Sequence, residues 1–280
     1  SYSGDAATPS PLDWRVRMPR LAAAINRFDP DVIAVTEHQP NHRELFAAHM
    51  HNKSFSWVAV PYDDDPEGVE LEGVGPDFEP GLAVGFDNRK FALEQSRTEM
   101  FCEQNTLFVR LSLLRDGISS QADAPEVIEV IVHHNYPISD GGSEHFSELT
   151  SHLASHPPAH HYFLCGDFNR DDSVTSGNFV REGMARLGLI NPFPYQPTYA
   201  PPYLMDTPCQ RFDYLLMSRS LAQVAGAPLP LPWVYPVLQE KKARQKGGAL
   251  VWDGSAMRDQ LIEEGGSDHA LVGLQVVLGV

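Results

Sequence analysis

The run Tyr162-Phe163-Leu164-Cys165-Gly166-Asp167-Phe168-Asn169-Arg170 constrains this chain more than any other stretch. Four apolar residues lead directly into Gly166, and an acid and an amide follow two positions apart. An apolar run with this boundary reads as a buried strand that delivers a polar site at its end. In an extended chain residues i and i+2 point to the same side, so Asp167 and Asn169 would project into one space. Gly166 would let the backbone pass close to whatever binds there. The same residues also fit a strand-to-loop junction in which Asp167 and Asn169 cap a turn. The rest of the chain has to decide between the two.

Taken in order, the chain offers several further strands with polar ends. Asp13 to Phe28 is helical in period, with Leu21, Ile25 and Phe28 on one face and Pro30 as the stop. The β-branched run Asp31 to Thr36 then delivers Glu37 and His38. Asn41 opens a second helix carrying Leu45, Phe46 and Met50, and Pro61 to Gly81 reads as an acidic surface loop. Strands follow at Leu82–Phe86, Thr106–Leu111 and Val127–Val132, the last running into His133-His134-Asn135-Tyr136. A helix with Phe146, Leu149 and Leu153 on one face, capped by Ser143, precedes the opening strand. After Asn169 a helix bearing Phe179, Val180, Met184 and Leu187 closes at Gly188. Gln210 to Met217 is a strand with Asp213 embedded in it, and Ser267-Asp268-His269 leads into a last strand, Ala270 to Leu278. Ala227 to Gly265 has little pattern, and its basic cluster Lys241 to Lys246 reads as a solvated loop. With no repeat and no linker, the expectation is a single domain over residues 1–280.

Composition narrows the function classes. The net charge of −16 argues against a broad duplex-binding surface, whose affinity comes from Lys and Arg displacing counterions. It leaves room for a small phosphorylated ligand, a short single strand, or an anionic substrate bridged by a metal. No apolar run reaches the roughly 20 residues needed to span a bilayer, and Ser1 to Pro11 lacks the basic-then-apolar pattern of a signal peptide. Cys102, Cys165 and Cys209 are widely spaced, fit no zinc pattern and cannot all pair, which points to a reduced, intracellular compartment.

Five strands thus carry Glu37, His134, Asp167 with Asn169, Asp213, and Asp268 with His269 within or beside them. A shared site at one edge of a sheet sandwich needs such a placement. Carboxylate and amide oxygens with few thiols suit a hard divalent ion, Mg²⁺ or Mn²⁺, and that ion attracts phosphate. Metal-assisted phosphate-ester cleavage is the chemistry served, with a His–Asp pair activating water.

Gly166-Asp167-Phe168-Asn169, Ser267-Asp268-His269, Arg211-Phe212-Asp213-Tyr214 and Glu37 after an apolar strand resemble, in this chain order, the endonuclease/exonuclease/phosphatase superfamily. The resemblance implies an α/β (α+β) fold: a four-layer α/β/β/α sandwich of two mostly antiparallel sheets face to face, with helices outside. It implies that Glu37 and Asp268 bind the metal. Asp167 and Asn169 would position the attacking water, the phosphate or a second ion. His269 would be the general base oriented by Asp213, and His134 would contact the scissile phosphate. The family usually has an Asn where this chain has Ser3; either Asp5, two residues on, substitutes as a ligand, or Ser3 is a simple strand end. His133 or Tyr136 could hold the role of His134 under a shifted alignment. The arginine-studded stretch Asp13 to Leu21 looks like the deadenylase, nocturnin and 2′-phosphodiesterase branch, which cleaves 3′-terminal adenylates or related nucleotide phosphates.

The expected function is therefore a Mg²⁺-dependent phosphoric ester hydrolase acting on a phosphorylated nucleotide or short single-stranded RNA or DNA. A non-catalytic family member serving as a scaffold and an inositol or lipid phosphatase are the other readings. His38, His42, His49 and His51 are expected at the surface, and Tyr195, Tyr199 and Tyr203 either stack on a base or pack.

Overall fold

The computed structural model describes residues 14–38, 48–50, 54–61, 81–102, 104–114, 127–135, 142–172, 178–193, 198, 211–224, 231–235, 243–246, 249–252, 269 and 271–275. Helix α1 (Trp14–Asn26) leads through Asp29, whose φ of 46° turns the chain, into strand β1 (Val32–His38). With β2 (Phe55–Pro61) and β3 (Gly81–Asp87), β1 forms an antiparallel sheet in the order β1-β3-β2. The second sheet has six strands: β4 (Phe91–Phe101), β5 (Gln104–Leu113), β6 (Val127–Val132), β7 (His161–Asp167), β8 (Leu189–Ile190) and β9 (Asp213–Ser218). Their order is β4-β5-β6-β7-β9-β8, and every pairing is antiparallel except β6 with β7. That parallel pair requires a crossover. Helix α2 (Gly142–Ser155) supplies it, and α3 (Asn178–Leu187) packs beside α2.

Side-chain alternation along the strands builds the layers. Leu107, Val109 and Leu111 of β5 face Leu82, Val84 and Phe86 of β3 in the core between the sheets, together with Ile128, Val130 and Val132. Phe108 and Ile131, one residue out of phase, face the other way with Leu164 and Leu216, and there α2 covers them with Phe146, Leu149 and Leu153. On the far side of the small sheet, Ala22 and Ile25 of α1 pack near Ile33, Phe55 and Trp57. The result is helix, sheet, sheet, helix, as the resemblance implied. Each fully buried Leu or Phe in these layers contributes roughly 1.5–3 kcal/mol. Helix α4 (Arg219–Val224), the antiparallel pair of β10 (Leu231–Tyr235) with β13 (Leu271–Gln275), and the pair of β11 (Ala243–Lys246) with β12 (Ala249–Trp252) complete the described elements.

Several local expectations change. Ser143 lies inside α2, which begins at Gly142, so it does not cap that helix. Residues 243–246 of the basic cluster form a paired strand and not a loop. His38 is buried and stacked on Trp57, with ring centroids 6.0 Å apart, and is no surface residue. Strands β2 and β4 have no counterpart in the sequence reading. Most of the second expected helix, including Leu45 and Phe46, and the residues Ser3, Asp5, Asp268, Tyr136, His42, His51, Tyr195, Tyr199, Tyr203, Lys241 and Lys242 lie outside the described residues.

Candidate active site

Strand β7 aims the site. Gly166 has a φ of +134°, and a Cβ there would stand 1.9 Å from the His133 carbonyl oxygen, so only glycine fits. The neighbouring segment continues the parallel ladder past β6: His133 N donates to the Cys165 carbonyl (3.0 Å) and Asn135 N to that of Asp167 (2.8 Å). Successive residues in extended chain face opposite sides, and the two histidines therefore part. His133 is fully buried, with Nδ1 2.8 Å from Thr106 Oγ1 and its ring 4.5 Å from that of His145. Burial pushes its imidazole well below the usual range, with the nearby His145 and His134 adding to the shift, so it is neutral. His134 faces the other way, its Nε2 3.2 Å from Asn169 Nδ2 and 3.7 Å from Asp167 Oδ2. Of the pair, it is His134 that stands among the polar residues at the end of β7.

Asp167 and Asn169 meet by a turn and not by extended alternation. Asn169 has φ 51°, its N donates to Asp167 Oδ1 (2.7 Å), and its Nδ2 donates to the Asn135 carbonyl (2.7 Å). This is an Asx turn. The turn holds the Asn169 backbone N–H on the Asp167 carboxylate and sends its side-chain amide to the Asn135 carbonyl and His134.

Across the β7/β9 ladder Asp167 is the direct partner of Asp213, and Asp213 Oδ2 lies 2.9 Å from His269 Nδ1. Thr198 Oγ1 accepts from the backbone N of both Phe212 and Asp213 (3.0 Å each), fixing the entry of β9. Like charges directly opposite in a sheet repel, so this pair needs counter-charge. Burial pushes the Asp167 carboxyl up, but His134, His269 and the Asn169 N–H together hold it below the usual carboxylate range. For Asp213 burial prevails, reinforced by the Asp167 charge, and its carboxyl is raised although His269 opposes the shift. Donor atoms of Asp167, Asp213 and His269 all lie within 4.8 Å of one another, close enough to share a cation.

Glu37 sits at the exposed end of β1, with φ 55° and within the register shift between Val35 and His38. A bulge of this kind re-aims a side chain beside a site. β1 packs across the sandwich on β6 and β7. Asp268, the second expected metal ligand, is outside the described residues.

Sequence reasoning gave no role to a buried network behind the turn. Tyr214 stacks on Phe168 (centroids 4.9 Å apart, 11°), donates its OH to the Arg170 carbonyl (2.8 Å) and accepts from Asp172 N (3.0 Å). Arg211 Nε donates to Asp172 Oδ1 (3.2 Å), and its backbone N to Asp171 Oδ2 (3.3 Å). The sequence did hold a signal: Arg211 and Tyr214 flank Asp213, and three charges follow Asn169 without a break.

The sequence matches the profile of the Endonuclease/Exonuclease/phosphatase family over residues 3–269. Comparison with curated protein sequences finds no significant match. Among solved structures the fold is similar to the human Nocturnin catalytic domain with bound sulfate, at 18% identity and TM-score 0.53, covering 74% of this chain and 76% of that one. It is similar to ANGEL2, a 2′,3′-cyclic phosphatase, at 14% identity and TM-score 0.59, covering 94% and 86%. A mannosyl-6-phosphatase from Bacteroides thetaiotaomicron matches at 12% identity and TM-score 0.58, covering 95% and 92%. With the profile spanning nearly the whole chain and the fold shared along its length, this chain belongs to the Endonuclease/Exonuclease/phosphatase family.

Proposed function

We propose that the protein is a Mg²⁺- or Mn²⁺-dependent phosphoric ester hydrolase acting on a phosphorylated nucleotide or a short single-stranded nucleic acid. The observation that carries this reading is the 2.9 Å contact of His269 Nδ1 with Asp213 Oδ2, set beside Asp167, Asn169 and His134. A carboxylate on Nδ1 orients the ring and favours the tautomer in which Nε2 accepts a proton. His269 then takes the proton from the attacking water, and Asp213 stabilises the imidazolium that forms. Asn169 Nδ2 donates to His134 Nε2 and to the Asn135 carbonyl, holding the ring beside Asp167, and His134 would exchange that contact for a phosphate oxygen in the tautomer that carries the proton on Nε2. Asp167 holds the water or the phosphate in place through the Asx turn.

The donor set fits a hard divalent ion, since the buried Asp167 carboxylate and the half-buried Asp213 carboxylate face each other with few thiols near them. Glu37 and Asp268 would hold it. Its chemistry there is to draw charge from the phosphorus oxygens and the leaving oxygen.

Two features favour a nucleotide or short strand. The charge of −16 opposes a long duplex, and α1 carries Arg17 and Arg20, with Arg27 just beyond it, on the layer outside the small sheet. The shared fold with Nocturnin and with ANGEL2 is in keeping with this. Hydrolysis assays with Mg²⁺ and after chelation, on oligo(A), an adenine dinucleotide phosphate and an inositol polyphosphate, test the reading. Mg²⁺-dependent turnover of one of the first two, lost in Asp167→Ala, is expected. Turnover of the inositol polyphosphate alone would overturn the substrate class. Equal rates for wild type and Asp167→Ala would leave a non-catalytic family member.

A further inference from the structure

Behind the candidate site, one tyrosine holds both sides of the turn. Asp213 and Tyr214 are consecutive in β9 and face opposite sides of the sheet. Asp213 meets His269, whereas Tyr214 is buried on the helix-covered side, in the core with Phe146 and Phe168. The Tyr214 ring stacks on Phe168, the residue before Asn169. Its OH donates at 2.8 Å to the carbonyl of Arg170, the residue after Asn169, with the Arg211 carbonyl next nearest at 3.2 Å. The same oxygen accepts from Asp172 N at 3.0 Å. Asn169 is thus bracketed, on both sides in sequence, by one side chain from the far face of the sheet.

The rest of the segment is tied to the same strand entry. Phe168 N donates to the Phe212 carbonyl at 2.8 Å, Arg211 N to Asp171 Oδ2 at 3.3 Å and Arg211 Nε to Asp172 Oδ1 at 3.2 Å. The Arg211 guanidinium stands 5.3 Å from the centre of the Tyr214 ring. Arg211, Asp172 and Tyr214 are all buried. Core packing is the competing account, but a buried ion pair adds little stability over apolar residues of the same volume. What polar groups supply and a hydrocarbon core does not is directional fixing of the backbone. Asn169 needs it: its φ of 51° is a conformation that persists only where the surroundings over-determine it. Burial pushes the Tyr214 phenol up, so the hydroxyl keeps its proton and stays a donor.

We propose, on the hydrolytic reading of the site, that Tyr214 is a positioning residue: braced by the Arg211–Asp172 pair, it holds Asn169, and through Asn169 His134, in place opposite Asp213. The path is short. Asn169 Nδ2 lies 3.2 Å from His134 Nε2 and donates to the Asn135 carbonyl, while Asn169 N donates to Asp167 Oδ1. Without the hydroxyl, the Arg170 carbonyl and the Asp172 N–H have to find other partners, because buried backbone groups are costly to leave unpaired. The Asn169 backbone then turns with them.

Amide hydrogen exchange followed by NMR, together with steady-state kinetics, on wild type, Tyr214→Phe, Asp172→Asn and Leu153→Ala tests the assignment. Tyr214→Phe keeps the ring and removes only the hydroxyl. Its Asp172 and Asn169 amides should exchange at least about tenfold faster than in wild type, beyond any change in the amides within β6 and β7. Its kcat should fall by about 10–10²-fold with KM within about twofold, because the reacting groups are misplaced and not removed. Asp172→Asn, which keeps the shape and the Asp172 N–H, should act in the same direction. Leu153→Ala truncates the same core toward the C-terminal end of α2 and should leave the Asn169 rate and kcat unchanged. An Asn169 amide that speeds up no more than those of β6 and β7, in whichever of Tyr214→Phe and Asp172→Asn folds as wild type does, would overturn the proposal. So would an unchanged kcat beside a faster Asn169 amide. If wild type itself shows no hydrolysis, the hydrolytic reading fails, and the exchange rates alone decide whether Tyr214 holds the turn.

Discussion

At the scale of single residues, the site depends on backbone conformations that most side chains avoid. Glu37 and Asn169 both have positive φ (55° and 51°), and each stands where a strand ends and a polar group must turn. Asn tolerates this conformation better than most residues, and Asp167 compensates by accepting the Asn169 N–H. Gly166 is the strictest case. Gly166→Ala sets a methyl group against the His133 carbonyl at a φ that alanine disfavours, and it should cost at least about 3 kcal/mol in urea unfolding. A loss under about 1 kcal/mol would show that the two segments separate easily. The sequence showed which residues gather, because Asp167, Asn169, Asp213 and His269 are hydrophilic groups tied to apolar strands. It could not show how they gather. The extended-chain argument put Asp167 and Asn169 on one side by alternation, whereas the contact comes from an Asx turn that the same residues equally encode. Likewise the choice between His133 and His134 depends on a parallel ladder with Cys165 and Asp167, a long-range pairing with no local signature.

At the scale of elements, the strands of the core and the apolar edge strand β1 were legible, whereas the edge strands β2 and β4 were not. Strands β5, β6 and β7 are apolar runs because each packs on the facing sheet and on a helix. β4 has a mostly exposed middle, reads Leu-Glu-Gln-Ser-Arg-Thr-Glu, and gains its conformation from pairing with β5. Its charges are also its tie to the sheet: Arg97 of β4 and Arg110 of β5 both reach the buried Glu129 of β6, at 2.6 and 3.3 Å, and Glu129 also accepts from Ala159 N at 2.7 Å. Burial pushes the Glu129 carboxyl up, but the Ala159 N–H, Arg97 and Arg110 outweigh it and hold the group below its ordinary value of 4.5. A depressed carboxyl stabilises the fold above its unfolded pKa, and that contribution is lost as pH falls through the folded value. Stability should therefore drop below pH ~4.5, and Glu129→Gln should flatten that part of the profile. An unchanged acid limb in Glu129→Gln would contradict the assignment. At neutral pH the variant should also be less stable, by less than the roughly 3–5 kcal/mol of a fully buried pair, because Arg97 and Arg110 keep some solvent. On the helix side, Phe146 is 1% exposed and packs on Phe168 with centroids 4.8 Å apart. Phe146→Ala should cost about 3–5 kcal/mol, and retention of wild-type stability would mean that α2 does not cover this core.

At the scale of the whole molecule, the six-stranded sheet and the segment before β13 bring residues distant in sequence together. His134 comes from the extension of β6, Asp167 and Asn169 from the end of β7, Asp213 from the start of β9, and His269 from just before β13. The order of motifs was visible in the sequence, and the family profile matches over residues 3–269. The pairing of Asp167 against Asp213 was not, since it follows from strand order β6-β7-β9, in which β9 is inserted after a helix and a long connection. That pairing concentrates negative charge where, in the proposed function, a divalent ion and a phosphate would meet, and the His269 contact with Asp213 would supply the base. The most direct measurement of this account is the steady-state rate of Mg²⁺-dependent phosphodiester hydrolysis by wild type and by His269→Ala at equal, verified fold. The account predicts a rate lower by about 10²–10⁴-fold in the variant, the range typical of losing a general base. Equal rates in the two proteins, or no Mg²⁺-dependent hydrolysis in either, would contradict it.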